Sequence, residues 1–363
     1  MAKVQNIDDL LAHAEEKDAS DLHLTVNVPP VLRIDGQLER MAGEPLGPTE
    51  TERMARDLLG GNWSQLEADG EVDFSYTVAQ KGRYRINVYR QRGSVSIAAR
   101  VIPREVPSLA QLGLPRITST LASKEQGLII VTGPTGSGKS TTLAGMLKLI
   151  NEERRCHIIT LEDPIEYLHS HQNSIVDQRE VGNDTSSFAT GLRSALRQDP
   201  DVVLVGEMRD RETMDIALRA AETGHLVLTT LHTRRAPEVV ARLVSSFPAA
   251  QQNQIRQQLA ETLVGVIAQR LLQRPEGGRV AAMEVLVGTP AARNLIREGK
   301  SHQLPSFMQT GTRFGMLTLK DHVQELFRRQ LIDRESLDDV LDEISVDAKK
   351  AADDKGYGKG PGY

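Results

Sequence analysis

The sequence predicts an α/β protein in which a small α+β unit precedes a larger domain built on a parallel sheet. Up to residue 102, short segments alternate apolar and polar side chains with a period of two. After Gln126 the apolar residues form unbroken runs, LIIV, HIIT, VVLV and LVLTTL, each followed by helical periodicity. Strands that crossover helices bury on both faces have this pattern. The length of 363 residues fits two or three domains of about 150 residues.

The first unit begins with an amphipathic helix predicted near Ile7 to Glu16, followed by strands at LHLTV and VLRID. Thr49 is a candidate cap for a helix that runs through Leu59. A three-stranded meander follows, with turns at Lys81-Gly82 and Arg92-Gly93. Three prolines then indicate a linker, because a proline ring prevents helix continuation.

The rest of the chain is divided by its composition. After Ala249 the signals are mostly helical, with one strand at VAAMEVLV, and the last residues mix charges with glycine, which is typical of disorder. The predicted organisation is a first unit (1–102), a linker (103–116), the parallel-sheet domain (117–288), a helical region (289–345) and a disordered tail (346–363).

Charge and cysteine content exclude several classes of protein. A net charge of -5 argues against a basic nucleic-acid or anionic-membrane surface. Cys156 alone makes neither an internal disulfide nor a four-cysteine zinc site, which indicates a reducing compartment. Because no apolar stretch approaches the roughly 18 residues that span a bilayer, and no signal peptide is evident, we expect a cytosolic protein without a transmembrane segment.

A phosphate-binding loop is predicted between strand LIIV and an amphipathic helix. The residues that fit the pattern G-x4-G-K-[ST] are Gly133, Pro134, Thr135, Gly136, Ser137, Gly138, Lys139 and Ser140. In such a loop backbone N–H groups surround phosphate oxygens, Lys139 reaches the outer phosphates and the Ser140 hydroxyl ligates Mg²⁺. The sequence therefore predicts ATP and Mg²⁺ as ligands; the alternative is a glycine-rich turn that binds nothing.

Three further side chains are predicted at the ends of later strands. Glu207 is the first carboxylate after VVLV, because Gly206 stands where the usual phosphate-loop enzyme has Asp, and we predict it on the metal side. Glu166 lies on a turn beyond HIIT and is predicted to orient the attacking water. His232 ends LVLTTL and is predicted to face the γ-phosphate. The alternatives are solvated strand ends and an ordinary turn histidine.

Arginines are concentrated at the end of the first unit, with no acid between positions 83 and 104. The strand alternation places Arg83 and Arg85 on one face. An arginine presented to a neighbouring subunit's nucleotide stabilises charge on the transferred phosphoryl group, an effect of about 10³ to 10⁵ in rate. The alternative is a solvated sheet face or a basic groove.

The order of the motifs GPTGSGKST, LEDPIEYLH, LRSALRQDPDVVLVGEMRD and AAETGHLVLTTLHT resembles the secretion ATPase superfamily, and within it the type IV pilus retraction ATPases (PilT-like). The resemblance implies a Walker A loop that extends to Thr141, catalysis by Glu166, metal binding by Ser140 and Glu207, and γ-phosphate sensing by His232. It also implies a PAS-like first domain, a RecA-like ATPase domain with C-terminal helices, and a homo-hexameric ring in which first-domain arginines complete a neighbour's site.

Retraction is favoured over its sister functions by two features. Extension and type II secretion ATPases generally carry a four-cysteine zinc element, which this chain lacks. The segment from Thr289 to Glu298 looks like the AIRNLIRE signature of retraction ATPases, with Ala292 in place of Ile. We expect it to form a capped helix whose apolar face includes Leu295 and Ile296, with Arg293 and Arg297 pointing elsewhere.

The resemblance implies a motor ATPase that powers pilus retraction and twitching motility. Its expected partner is an inner-membrane pilus platform protein, a paralogous retraction ATPase is a further candidate, and the expected location is cytoplasmic, peripheral at the inner face of the cytoplasmic membrane. A RecA-like nucleic-acid translocase is the alternative, but aromatic residues make up only 4% of the chain, which leaves few platforms for stacking bases. A nucleotide-binding switch with negligible turnover is a third possibility.

Overall fold

The alternating segments at the start of the chain pair as an antiparallel sheet in the computed structural model, which describes residues 6–79 and 81–356. The elements of this first unit are α1 (Ile7–Glu16), β1 (Asp21–Leu24), β2 (Val31–Ile34), β3 (Gln37–Arg40), α2 (Pro48–Leu59), α3 (Trp63–Asp69), β4 (Glu71–Val78), β5 (Gly82–Gln91) and β6 (Ser94–Ile102). The strand order is β3-β2-β1-β6-β5-β4. The predicted meander is confirmed, whereas β3 was not expected and α2 starts at Pro48, one residue before Thr49.

The unbroken apolar runs after Gln126 form a second, mostly parallel sheet in the order β13-β12-β7-β11-β10-β8-β9. Its elements are α4 (Ile117–Ala122), β7 (Gly127–Thr132), α5 (Lys139–Glu153), β8 (His157–Glu162), β9 (Ile175–Glu180), α6 (Phe188–Ala195), β10 (Val202–Val205), α7 (Arg211–Glu222), β11 (Leu226–Leu231), α8 (Ala236–Ser245), α9 (Gln252–Thr262), β12 (Leu263–Gln273) and β13 (Arg279–Val287). Every residue of β7, β10 and β11 is buried, as expected for strands covered on both faces.

The prediction of a mostly helical segment after Ala249 was wrong for β12. This strand lies between β7 and β13, and its first seven residues are all buried, so side chains on both of its faces are covered and its sequence lacks the alternation that identifies a strand. The C-terminal helices follow at α10 (Pro290–Arg297), α11 (Leu304–Thr310), α12 (Leu319–Arg328) and α13 (Arg334–Gly356).

The predicted disordered tail, 346–363, needs correction because α13 continues to Gly356. Alanine and lysine between Val346 and Gly356 favour helix, which offsets the charge density that suggested disorder. Residues 357–363 lie outside the described part of the chain.

The chain divides into two compact units between Glu105 and Val106, inside the predicted linker. Val106 and Leu109 are buried, and Leu109 packs in the core of the second unit, so most of the segment 103–116 belongs to that unit. The first unit also takes Pro164–Leu168, which the sequence had assigned to the parallel-sheet domain. Within residues 6–79 and 81–356, no helix has the length and apolar character needed to cross a membrane.

Candidate active site

The predicted phosphate loop joins the buried strand β7 to the N-terminus of α5, which starts at Lys139. Gly138 occupies the cap position and has no side chain with which to satisfy the first N–H groups of the helix. These groups and the positive end of the helix dipole form a site for an anion. The strand, loop and helix that the motif requires are therefore all present.

Two positions of the loop favour glycine, Gly138 because of its backbone conformation and Gly133 because of close packing. Gly138 has a φ of +84°, and a Cβ there would lie 3.1 Å from the Gln269 Nε2 atom. At Gly133 a Cβ would lie 2.2 Å from the Gln269 carbonyl oxygen. The Ser137 hydroxyl is buried without a hydrogen-bond partner, which leaves a polar atom available inside the loop. These features fit a loop shaped around a phosphate ligand.

The Lys139 ammonium lies back over the loop. Its Nζ atom donates to the carbonyl oxygens of Gly133 at 3.0 Å and Pro134 at 3.1 Å. Phosphate oxygens carry more negative charge than carbonyl oxygens and make stronger charge-assisted hydrogen bonds. The position of Lys139 therefore fits its predicted role at the outer phosphates.

Glu207 and His232 lie at the carboxyl ends of the adjacent parallel strands β10 and β11. The Glu207 side chain is 15% exposed, and its two carboxylate oxygens lie 3.4 Å from His232 Nε2 and 2.5 Å from Arg209 Nη2. The hydrogen bond to this carboxylate is the main cause that raises the pKa of Arg209 further. Thus the structure brings together two of the predicted site residues.

The sheet order puts the phosphate loop on the same edge as these two residues. Since β7, β11 and β10 are neighbouring parallel strands, Lys139, His232 and Glu207 all follow carboxyl ends of strands. The Thr132 hydroxyl, at the end of β7, donates to the carbonyl of Thr233 at 2.8 Å and so ties the two loops together. The Ser140 hydroxyl and the Glu207 carboxylate are hard oxygen groups of the kind that suits Mg²⁺, and their role as its ligands stays a prediction.

The remaining predicted residues lie in the first compact unit. Glu166 is exposed within Pro164–Leu168. Arg85 lies 3.6 Å from Asp73, and Arg83 donates to the Thr77 hydroxyl at 3.3 Å. The roles of Glu166, Arg83 and Arg85 at a nucleotide stay predictions.

Sequence analysis missed two side chains that support this edge of the sheet. Glu284, 4% exposed, pairs with Arg235 at 2.8 Å and accepts the Ala236 N–H at 2.8 Å, which fixes the start of α8 just after His232. Gln269 contacts the phosphate loop through hydrogen bonds to Ser137 and Thr142. The available signals were Glu284 inside the apolar run VAAMEVLV and Gln269 directly after the apolar run LVGVIA.

Comparisons with known proteins identify the family of this chain. The sequence profile described as "Type II/IV secretion system protein" matches residues 2–275. The type IV pilus retraction ATPase PilT of Pseudomonas aeruginosa is 45% identical over 332 residues, covering 91% of this chain and 96% of that protein. The uncharacterized protein YggR of Escherichia coli is 47% identical over 320 residues, covering 88% and 97%. The crystal structure of the pilus retraction motor PilT with bound ADP matches with a TM-score of 0.84 at 49% identity, covering 92% of this chain and 96% of that one.

Proposed function

Because the chain belongs to the type II/IV secretion system protein family and is 45% identical to a pilus retraction ATPase over nearly its whole length, we propose that it hydrolyses ATP to power type IV pilus retraction. The observation that carries this proposal is the phosphate loop from Gly133 to Thr141 on the same sheet edge as Glu207 and His232. Twitching motility is the cellular activity that such a motor supports.

Each residue of the proposed site has a separate task. Lys139 exchanges its two carbonyl contacts for the outer phosphates of ATP, and Ser140 and Glu207 hold Mg²⁺. When bound, Mg²⁺ neutralises charge on the phosphate oxygens. His232 contacts the γ-phosphate region through its second hydrogen-bonding position while Glu207 orients the ring.

Glu166 acts as the general base that takes a proton from the attacking water. Its carboxylate is exposed and lies four residues beyond the end of β8, in the motif LEDPIEYLH. This role requires Glu166 to reach the water in the nucleotide-bound protein.

The assembly that we propose is a homo-hexameric ring with a PAS-like first domain and a RecA-like second domain. Arg83 and Arg85 of one subunit stabilise negative charge at the nucleotide of the next subunit. The pair between Arg85 and Asp73 leaves this role open to Arg85, because both side chains are about half exposed and such surface pairs contribute little energy that would hold the arginine in place.

The ring acts from the cytoplasmic face of the inner membrane on a pilus platform protein, with a paralogous retraction ATPase as a further partner. Helix α10 is the proposed contact with the pilus platform protein. Its predicted caps are in place: Thr289 accepts the Ala292 N–H at 3.3 Å, and Pro290 occupies the first turn.

The test is ATP hydrolysis by the purified full chain with and without Mg²⁺ and with and without DNA, together with imaging of particles. We expect Mg²⁺-dependent hydrolysis that DNA leaves unchanged, and rings of six subunits. Stimulation by DNA would favour the alternative of a RecA-like nucleic-acid translocase, which the relatives described above do not support. Binding without turnover would indicate a nucleotide switch.

A further inference from the structure

Gln269 contacts the phosphate loop from the neighbouring strand. It lies on β12 directly after Ala268, which pairs with Thr132 at the end of β7. The side chain is 4% exposed, and both ends of its amide are used. Nε2 donates to the Ser137 carbonyl at 2.6 Å, and Oε1 accepts from the Thr142 hydroxyl at 2.8 Å. One side chain therefore links the loop to the first turn of α5.

The backbone and the amide nitrogen of Gln269 also leave little room for a side chain at two glycines of the loop. The Gln269 carbonyl oxygen lies only 2.2 Å from the position of a Cβ at Gly133, and Nε2 lies 3.1 Å from the corresponding position at Gly138. Gln269 thus contacts both glycine-bounded ends of the loop, as well as Ser137 between them.

The hydrogen bond to Ser137 has a consequence for phosphate binding. A trans peptide is planar, and its C=O and N–H groups point in opposite directions. Since the Ser137 carbonyl points to Gln269, the Gly138 N–H points away from β12. A free peptide would turn and lose this orientation. In the proposed site, the Gly138 N–H is one of the donors that surround the phosphates.

We propose that Gln269 is a positioning residue for phosphate binding: it fixes the Ser137-Gly138 peptide so that the Gly138 N–H faces the phosphates of ATP. The inference rests on the proposed ATPase function and deepens it. It says that a residue far along the chain from the motif holds the phosphate loop in its binding conformation. Thr142 contributes by holding Oε1, which directs Nε2 to Ser137.

The test compares binding of ATP and of inorganic tripolyphosphate by the full chain. Gln269→Glu keeps the shape and the acceptor for Thr142 but does not donate to Ser137 when ionised. Gln269→Leu removes both hydrogen bonds at similar volume. We expect Kd for both ligands to rise by about tenfold or more in each variant, and by the same factor for the two ligands. Thr142→Val, which keeps the bond to Ser137, raises Kd less.

Gln273→Leu is the matched control, since Gln273 is an exposed residue of the same strand and should leave Kd unchanged. Melting temperature is measured in parallel. A lower melting temperature with wild-type Kd for tripolyphosphate in the folded Gln269 variants would overturn the proposal. If Gln269→Leu does not fold, Gln269→Glu and Thr142→Val decide by the same criterion. A wild-type chain that binds no ATP would contradict the proposed function instead.

Discussion

The imidazole Nε2 of His232 lies 3.4 Å from one carboxylate oxygen of Glu207, and Arg209 lies 2.5 Å from the other. Glu207 is thereby held at the end of β10 by side chains on both of its oxygens. If Glu207 holds Mg²⁺, the carboxylate would have to share its oxygens between the metal ion, Arg209 and His232. Substitution of Glu207 should therefore change the Mg²⁺ concentration at which hydrolysis is half-maximal.

Glu207→Gln and Glu166→Gln should separate metal binding from water activation. Glutamine at 207 is a poorer Mg²⁺ ligand, so the Mg²⁺ concentration for half-maximal hydrolysis should rise. Glutamine at 166 accepts no proton, so hydrolysis should fall by about 10² to 10⁴ with an unchanged Mg²⁺ midpoint. Mg²⁺ titrations of ATPase activity measure both the midpoint and the maximal rate of each variant. Identical midpoints for the two variants would contradict the division.

Lys139→Ala should weaken ATP binding by roughly a hundredfold, because it removes a charge-assisted contact to the phosphates. Its Nζ atom contacts the carbonyls of Gly133 and Pro134, so the fold should change little. Fluorescent ATP binding and thermal melting measure the two effects. Lys320→Ala, at an exposed lysine of the same unit, is a control for removal of a lysine. Normal hydrolysis by Lys139→Ala would disprove the phosphate-loop assignment.

Arginines that act on a neighbour's nucleotide predict complementation between two inactive variants. A Lys139→Ala subunit keeps Arg83 and Arg85 and can supply them to the intact site of an Arg83→Ala/Arg85→Ala subunit. Mixed rings should recover part of the ATPase activity. If mixed rings form and stay inactive, these arginines act elsewhere.

Helix α10 allows a test of whether ATP hydrolysis is coupled to the pilus platform protein through its arginines. Arg293, which the sequence placed off the apolar face of α10, is half-buried and donates to the Leu263 carbonyl at 3.0 Å, so it has a structural contact that Arg297 does not share. Arg293→Ala should lower the free energy of unfolding by about 1 kcal/mol. Arg297 is exposed, and Arg297→Ala should stop retraction while ATP hydrolysis continues.

The control for Arg297 is Arg328→Ala, another exposed arginine near a helix end. Cells with each variant at wild-type abundance are scored for twitching. Normal twitching with Arg297→Ala would remove the coupling role, and parallel loss of ATPase activity would place α10 in ring structure.

His322 predicts a pH dependence of stability. Burial, with a smaller effect of Arg329, lowers its pKa from 6.5 to about 4, and Nδ1 accepts the Met283 N–H at 2.8 Å. The unfolded chain therefore gains a proton that the folded chain does not. The contribution of neutral His322 to the free energy of unfolding is therefore complete above pH 6.5. Up to about 3 kcal/mol of it is lost as the pH falls to about 4.

His322→Asn keeps an acceptor at Oδ1 but does not titrate, so the free energy of unfolding should fall less steeply with pH. Urea unfolding across this range measures the slope, with exposed His302→Asn as control. Equal slopes for wild type and His322→Asn would rule out a contribution from His322.

The parts of the fold that could be predicted are those with local signals. Strand β7, the loop and α5 follow from a motif and its flanking periodicity, and α10 follows from the caps at Thr289 and Pro290. Strand β12 had no such signal, because burial on both faces removes alternation. Gln269 was therefore missed, since its relation to Ser137 depends on strand pairing between distant parts of the sequence.

The same limit applies to Arg235. Its partner Glu284 is 49 residues away on β13, and the pair forms only when β13 completes the sheet beside β12. By contrast, Glu207 and His232 were predictable, because both are the first polar groups with suitable chemistry after buried parallel strands.

The central claim, an ATP-driven retraction motor, is tested most directly by imaging labelled pili in cells from which the gene for this chain has been deleted. We expect retraction events to return when the wild-type chain is supplied and to stay absent with Lys139→Ala at the same abundance. Pili that extend but do not retract with the wild-type chain, although that chain hydrolyses ATP when purified, would contradict the claim.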